Sequence, residues 1–376
     1  MRVLHTFKDA YPPTRGGVEL HVHDITRSLD GFSFSVLTSS RSRTRRVHEH
    51  LGVRFVETAE RCRVSSAPVT WSWPRELRDS DADIFHFHMP NPVGELALLA
   101  SSVTTPVVAS YHADPVRSPR LAHLYSPLQQ RFLARADRIL VASPMLAATP
   151  PLRHHRDRVH VVPYGFDPGR WQPSAAEVAE VRRRHPGPLV LFVGRLVWYK
   201  GVDVLLEAMR SVDATLVVAG DGPKRAELET QVHRAGLGSR VSFVGTLSDN
   251  QRAAYYRAAD VFVVPSTSRA EAFCLALLEA MAYGTPAVST EVGTATSWVN
   301  VSGRTGVVVP PGDARALAGA VTDLLADEPR RRQLGEAAAA RARSRFPLQA
   351  MVDRLADVYL STAARRQGRG ELAGRH

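Results

Sequence analysis

Short apolar, β-branched runs alternate along this chain with longer stretches in which apolar positions recur every three or four residues. In the first half the runs lie at 3–7, 34–38, 53–56, 84–88, 107–111, 139–142 and 159–162. In the second half they lie at 189–193, 214–219, 241–244, 261–264, 287–289 and 306–309. Several are apolar nearly throughout, as parallel strands covered on both faces are. The stretches 202–209, 224–235 and 314–325 carry the i, i+3, i+4 repeat of helices packed by one face. This is the βαβ alternation of a doubly wound sheet, and it occurs twice. The expected fold is α/β, with two doubly wound Rossmann-like domains facing each other across a cleft. Ligands in such sheets sit outside the carboxyl ends of the strands, so the loops just after strands are where chemistry is sought.

The break between the halves is dense in proline and glycine: Pro163, Gly165, Pro168 and Gly169, with Pro173 soon after. The expected domains are 1–165 and 166–345. A last amphipathic helix follows at 346–362, carrying Met351, Leu355, Val358 and Tyr359, and crosses back to the first domain. A flexible, frayed tail is expected at 363–376. The length of 376 residues agrees with two domains.

Composition narrows the class. Hydrophobic residues at 44% supply a full core, which excludes a wholly disordered chain. No apolar run approaches the ~18 residues of a membrane span, and the amino terminus begins with a strand-like run, not a secretory signal. Cys62 and Cys274 are too few for a disulfide scaffold or a structural zinc site. A cytoplasmic protein is expected, with peripheral contact at the inner membrane face as an option. The net charge of +11 rests on 45 arginines and only three lysines, spread along the whole chain. Dispersed arginine reads mainly as solvated faces. A nucleic-acid-binding protein would show arginine or aromatic readout motifs on one element, and none stands out.

Five strand-end segments carry candidate chemistry. Gly194 to Gly201 follows the first strand of the second domain and delivers Arg195 and Lys200 beside a helix start, an arrangement suited to a diphosphate. The plain alternative is a surface ion pair and a solvated lysine. Glu271 and Glu279 are separated by eight residues, ~12 Å along a helix. They cannot share a proton or a metal, but can hold opposite ends of an extended ligand. The alternative is a helix-start charge and a surface residue. Gly16 and Gly17 open a helix after the first strand and allow close approach of a phosphate or sugar, with Arg15 adjacent. His112, in Ser110 to Asp114, ends a strand and can donate to a sugar hydroxyl or phosphate, or simply pack. His86, His88 and Asn91, with Asp114, form a candidate acceptor wall.

Taken in order, these residues resemble the retaining GT-B glycosyltransferases of family 4. The resemblance is close to full length. It extends to the segments at 162–167, 219–223 and 305–311. It implies that Arg195 and Lys200 hold the donor diphosphate and stabilise the departing nucleotide. It places Glu279 at the ribose hydroxyls, Glu271 at the transferred sugar, and His112 near the sugar and donor phosphate. Backbone groups of Phe273, Cys274 and Leu275 meet sugar hydroxyls and phosphate. Gly17 approaches the diphosphate, and the loop Thr246, Leu247, Ser248 and Asp249 reads the base. The family often has glycine where this chain has Cys274, and a side chain there narrows the sugar pocket.

The implied activity is hexosyl transfer from a nucleotide diphosphate sugar, with retention. No metal site and no obligatory divalent ion or other cofactor are expected, because cations and helix amides stabilise the leaving group. The segment 289–300 is similar to polysaccharide-type mannosyl- and rhamnosyltransferases, which puts a GDP-mannose-type donor ahead of a UDP-hexose. The acceptor is a glycan, a lipid-linked glycan at a membrane surface (with the Arg41 to Arg46 loop and Leu51 as contacts), or a small molecule. A UDP-sugar transferase acting on an aminocyclitol or macrolide is the main alternative. A sugar-nucleotide epimerase or a phosphorylase of the same fold is a weaker one. No nucleic-acid partner is expected, and the sequence leaves the oligomeric state open.

Overall fold

The computed structural model describes residues 1–11, 16–40, 42, 44–64, 67–114 and 119–373. Arg15, Arg41 and Arg43 lie outside them. The chain forms two compact units, Met1–Tyr164 with Gln349–His376, and Gly165–Leu348.

The first unit holds β1 (Arg2–Thr6), β2 (Ser33–Ser40), β3 (Arg46–His50), β4 (Val53–Ala59), β5 (Cys62–Val64), β6 (Ala67–Val69), β7 (Ile84–Met89), β8 (Val107–Tyr111), β9 (Arg138–Val141) and β10 (Val159–Val161). Its helices are α1 (Gly17–Ser28), α2 (Trp73–Arg78), α3 (Pro92–Ser101), α4 (Pro119–Arg135) and α5 (Pro144–Ala147). The main sheet runs β10-β9-β8-β7-β1-β2-β4-β3, parallel except for the edge pair β3–β4. Strand β7 divides its faces by period two. Phe85, Phe87 and Met89 enter an apolar core with Trp73, Leu98 and Phe132. His86 and His88 point the other way.

The second unit holds α6 (Ala175–Arg184), β11 (Leu189–Val193), α7 (Val202–Ala208), β12 (Thr215–Ala219), α8 (Arg225–Arg234), β13 (Val241–Gly245), α9 (Asp249–Ala258) and β14 (Val261–Val264). It continues with α10 (Leu275–Ala282), β15 (Ala287–Thr290), α11 (Thr296–Val299), β16 (Gly306–Val309), α12 (Ala314–Ala326) and α13 (Glu328–Arg345). Its sheet is parallel throughout, in the order β13-β12-β11-β14-β15-β16. Val190, Phe192, Leu205, Leu216 and Val263 anchor its core.

Three differences from the sequence reading have physical causes. Strand β3 is missed because it is an exposed sheet edge with polar residues on both faces. Strands β5 and β6 form a separate three-residue ribbon, too short for a periodic signal. The last helix, α14, runs over Leu348–Ala373 and so continues into the expected tail. Gly368 and Gly370 lower its helix propensity by about 1 kcal/mol each but remove no backbone donor. The chain leaves the second unit where Phe166 pairs with Pro347 in an isolated bridge and the Phe166 N–H donates to the Phe346 carbonyl at 3.0 Å.

Candidate active site

In the second unit the strand order reverses between β11 and β14, which are hydrogen-bonded neighbours. A crevice at the carboxyl ends of such a pair is where doubly wound sheets take ligands. The loops leaving these two strands are fastened together. The Thr267 N–H donates to the Tyr199 carbonyl at 2.9 Å. Gly201 sits at φ +65°, and a Cβ there would stand 2.0 Å from the Pro265 carbonyl oxygen. No other residue type fits that crossing.

This fastening brings Lys200 and Glu271 together. Lys200 Nζ lies 2.5 Å from Glu271 Oε2, with the side chains 12% and 7% exposed. Ser266 Oγ donates to the same carboxylate oxygen at 2.9 Å. Burial lowers the Lys200 pKa, but the surrounding groups, Glu271 foremost with Cys274 and Tyr199, together outweigh it and the ammonium is held charged. Arg195, five residues earlier, is exposed and makes no side-chain hydrogen bond or ion pair among the described residues. The site therefore has one anchored cation and one uncommitted cation.

Cys274 adopts φ +66°, ψ 82° at the start of α10. That is a left-handed conformation, costly for a side-chain-bearing residue and natural for glycine. No side chain caps α10; the Leu277 N–H donates to the Cys274 carbonyl at 3.1 Å, and the first amides of the helix, at Leu275 and Ala276, precede that bond. The Cys274 thiol is buried; desolvation, helped by Glu271, pushes its pKa up to about 12. It stays protonated and is no nucleophile at neutral pH. Phe273 is buried, with its ring edge-on to Phe346.

Glu279, on the second turn of α10, is buried and bonded from α9. Tyr256 Oη donates to its Oε2 at 2.6 Å, and Arg252 Nη1 lies 3.5 Å from the same oxygen. Arg252 also donates to Asp249 Oδ1 at 2.9 Å and lies 4.5 Å over the Trp171 ring. The loop after β13, with Thr246 exposed and Leu247 buried, ends in Ser248, which caps α9 through a capping box with Gln251. That loop, Arg252 and Glu279 thus form one network. In both carboxylates the protein partners fall on Oε2, and Oε1 has none among the described residues. Ser266, Arg252 and Tyr256 were not singled out in the sequence. Ser266 lies in a polar turn and Arg252 and Tyr256 in a largely polar helix, where nothing in the sequence sets them apart from solvated residues.

In the first unit, Gly16 opens α1 and sits under the Glu19 carboxylate: a Cβ on Gly16 would meet Glu19 Oε2 at 2.1 Å. Glu19 therefore covers the helix start at which Gly16 and Gly17 were expected to meet a phosphate. His112 is buried and lines a small cavity with His21, Tyr111, Tyr164, Met351 and Leu355. Its Nδ1 is bonded to the Tyr164 hydroxyl and its Nε2 to His88 Nδ1 at 2.8 Å.

The acceptor wall requires correction. His86 and His88 are fully buried on the inner side of β7, and Asn91 is buried as the cap of α3, its side chain accepting from the Gly94 N–H. The face of β7 that carries His86 and His88 is covered, and Asn91 is turned inward at the start of α3, so these residues form no open wall here. Asp114 is half-buried and accepts from the Tyr111 hydroxyl at 2.8 Å. His5 Nδ1 continues the histidine contacts to His88 Nε2 at 2.9 Å, while His86 bonds Tyr359 Oη at 2.6 Å and Ser110 Oγ at 2.7 Å. His5, His86 and His88 have nitrogens within 4.8 Å of one another, but every His86 and His88 nitrogen already has a protein partner.

Two parallel α/β units, with cations, an uncapped helix start and two buried carboxylates at the strand ends of the second, define a GT-B glycosyltransferase. Residues 15–170 match the model of Glycosyltransferase Family 4, and residues 175–341 that of Glycosyl transferases group 1. The chain is 32% identical to O-antigen chain mannosyltransferase C of Escherichia coli, over 96% of this chain and 98% of that one. It is 35% identical to D-rhamnosyltransferase WbpZ of Pseudomonas aeruginosa, over 92% of each. A sucrose-phosphate synthase from Thermosynechococcus elongatus superposes with a TM-score of 0.82 at 24% identity, over 96% of this chain and 99% of that one. The chain belongs to the group 1 glycosyltransferases of family 4, and it is a hexosyltransferase. Among the described residues no helix is long and apolar enough to cross a membrane.

Proposed function

We propose that this enzyme transfers a hexose of manno configuration from a nucleoside diphosphate sugar, GDP-linked ahead of UDP-linked, to a hydroxyl of a growing glycan or glycolipid, with retention at the anomeric carbon. The observation that carries the reading is the Lys200–Glu271 pair, with uncommitted Arg195 beside it, at the β11/β14 reversal and next to the uncapped start of α10. The sugar assignment is supported by the two relatives named for mannosyl and D-rhamnosyl transfer. D-Rhamnose is 6-deoxymannose, so those two sugars differ only at C6.

The roles follow from the chemistry. As the C1–O bond to the diphosphate breaks, negative charge grows on the leaving phosphate, and Lys200, Arg195 and the α10 amides stabilise it. The acceptor oxygen bonds to C1, and its proton passes to the departing phosphate oxygen. Glu271 keeps Lys200 in place and offers Oε1 to a sugar hydroxyl; Glu279 offers Oε1 to the ribose. The backbone at Phe273, Cys274 and Leu275 meets the sugar and phosphate, and the 246–249 loop meets the base. Gly16, Gly17 and His112 are assigned to the donor's phosphate and sugar. No divalent ion is required, since fixed cations already oppose the charge. The reaction is placed in the cytoplasm, with the acceptor carried on lipid at the membrane surface.

Thermal stabilisation by GDP-mannose, GDP-D-rhamnose, UDP-glucose and UDP-N-acetylglucosamine, followed by transfer assays with and without EDTA, tests this reading. Stabilisation by a GDP-manno sugar and EDTA-resistant transfer are expected. Stabilisation by UDP-glucose alone would overturn the donor, and an EDTA-sensitive rate would overturn the metal-free mechanism.

A further inference from the structure

An open cleft of about 600 Å³ lies within the first unit, at the amino ends of β8, β9 and β10. It is at the opposite end of β8 from His112 and shares no residue with the site described above. Four arginines line it, Arg135, Arg138, Arg158 and Arg365, together with apolar Val103 and Pro106. That volume is in the range of small-molecule sites.

Two of the arginines already have structural tasks. Arg135 Nη2 donates to the carbonyls of Val103 at 3.2 Å and Thr105 at 2.8 Å. Arg158 Nη1 donates to those of Ala134 at 3.0 Å and Ala136 at 2.8 Å, at the end of α4. Each also has an acid nearby: Asp137 lies 3.6 Å from Arg135, and Asp157 lies 3.9 Å from Arg158.

The other two are uncommitted. Arg138 opens β9 on the face opposite the core residues Ile139 and Val141, and is 6% exposed. A guanidinium carries five N–H groups. Among the described residues, Arg138 uses one, donating to the Asp137 carbonyl at 2.9 Å, and none of its other nitrogens is sealed from the cleft. Arg365 enters from α14, exposed, with no hydrogen bond or ion pair among the described residues. Burial, and then the Arg365 charge, lower the Arg138 pKa; Asp137 and Asp157 oppose them. His160 on β10 is lowered by burial and then by the same two arginines, so both charges act on one spot. Of the opposing acids, Asp137 already accepts the Val107 N–H at 2.8 Å and the Asp157 side chain is 77% exposed. A buried guanidinium beside a second cation is costly unless an anion joins them, and the planar fork of arginine matches the oxygens of a phosphate.

We propose that this cleft binds a phosphate-bearing small molecule, with Arg138 and Arg365 on the phosphate oxygens and Val103 and Pro106 against its organic part, and that the bound ligand ties the later turns of α14 to β9. Thr362, which also lines the cleft, is the last buried side chain described on α14. A bridge from Arg365 through the anion to Arg138 adds a hold one turn beyond it. A free phosphate ester and a lipid headgroup share this chemistry.

Calorimetry on the full chain with inorganic phosphate, glycerol 3-phosphate and phosphatidylglycerol vesicles tests the proposal and separates the two sources. Glycerol 3-phosphate should bind more tightly than inorganic phosphate, and Arg365→Gln should weaken it at least about tenfold. Arg195→Met and Arg315→Gln, which remove exposed charges outside the cleft, should leave it within about twofold. Binding should slow hydrogen exchange around residues 359–365 at least about threefold, and Arg365→Gln should abolish that protection. Vesicle binding without glycerol 3-phosphate binding, lost in Arg365→Gln and kept in Arg315→Gln, would support the site and assign its phosphate to a lipid. Binding of none of the three probes would overturn the proposal. So would equal binding by folded Arg365→Gln, or a loss in Arg195→Met as large as in Arg365→Gln.

Discussion

Replacing Glu271 by glutamine should expose how much of the site's geometry rests on one ion pair. The side chain is 7% exposed, its Oε2 lies 2.5 Å from Lys200 Nζ, and Ser266 donates to the same oxygen. Glutamine keeps the shape and an acceptor for Ser266 but leaves the buried ammonium without its counter-charge. An uncompensated buried charge of this kind costs about 3–5 kcal/mol, a large share of the roughly 5–15 kcal/mol that holds a typical domain folded. Adding Lys200→Met removes the stranded charge and should return about 2 kcal/mol of coupling. Urea unfolding of the four proteins of this cycle measures both quantities, and the single Glu271→Gln loss should appear as a drop in melting temperature of about 6–20 °C. The Lys200 pKa is held above its ordinary value, so the pair contributes fully below about pH 10 and weakens only as pH rises beyond that. The coupling should therefore be flat between pH 6 and 9. A loss under about 1 kcal/mol, or simple additivity of the two substitutions, would refute the reasoning and reduce the pair to a solvated contact.

Other consequences are open to direct test. Cys274→Gly should leave stability within about 1 kcal/mol, because relief of left-handed strain offsets the flexibility gained by the unfolded chain. Cys274→Val, β-branched at the same angles, should lose about 2 kcal/mol in a denaturant titration. Tyr256→Phe removes the hydroxyl that holds Glu279, and should raise the KM for the donor about threefold to tenfold with little change in kcat. Burial holds His5 and His21 down to about 3, so the unfolded chain binds more protons than the folded one between pH 6.5 and 3. Stability should accordingly fall as pH drops through this window, by up to about 1.4 kcal/mol per pH unit for each such histidine. Urea midpoints that do not change between pH 7 and 5 would contradict that.

All thirteen apolar runs of the sequence became strands: the interior ones are buried on both faces and leave a continuous signal, and the half-buried edge strands β10, β13 and β16 still carry apolar runs. The edge strand β3 left none, since half its environment is water. The site divides in the same way. Arg195, Lys200 and Glu271 stand out in the sequence because each follows a strand in a loop or turn, and Glu279 because it interrupts the apolar run of α10. Their partners do not: Ser266, Arg252 and Tyr256 come from other elements and meet the carboxylates only through tertiary packing. His86 and His88 show why proximity to a strand end is insufficient. Their i, i+2 spacing assigns both to one face of β7, but which face is open and which is roofed depends on α1 and α14, whose positions a strand pattern does not contain.

Arg195 provides the most direct test of the donor site. It is exposed and uncommitted among the described residues, so Arg195→Met should leave folding stability unchanged within about 0.5 kcal/mol. The quantity to measure is the affinity for free GDP and UDP by calorimetry, on the unsubstituted and substituted enzymes. The account predicts that nucleoside diphosphate binding weakens at least about tenfold, as expected for loss of a charge-assisted contact to phosphate. Undiminished binding by a folded Arg195→Met enzyme would contradict it, and would move the diphosphate away from the strand ends of the second unit.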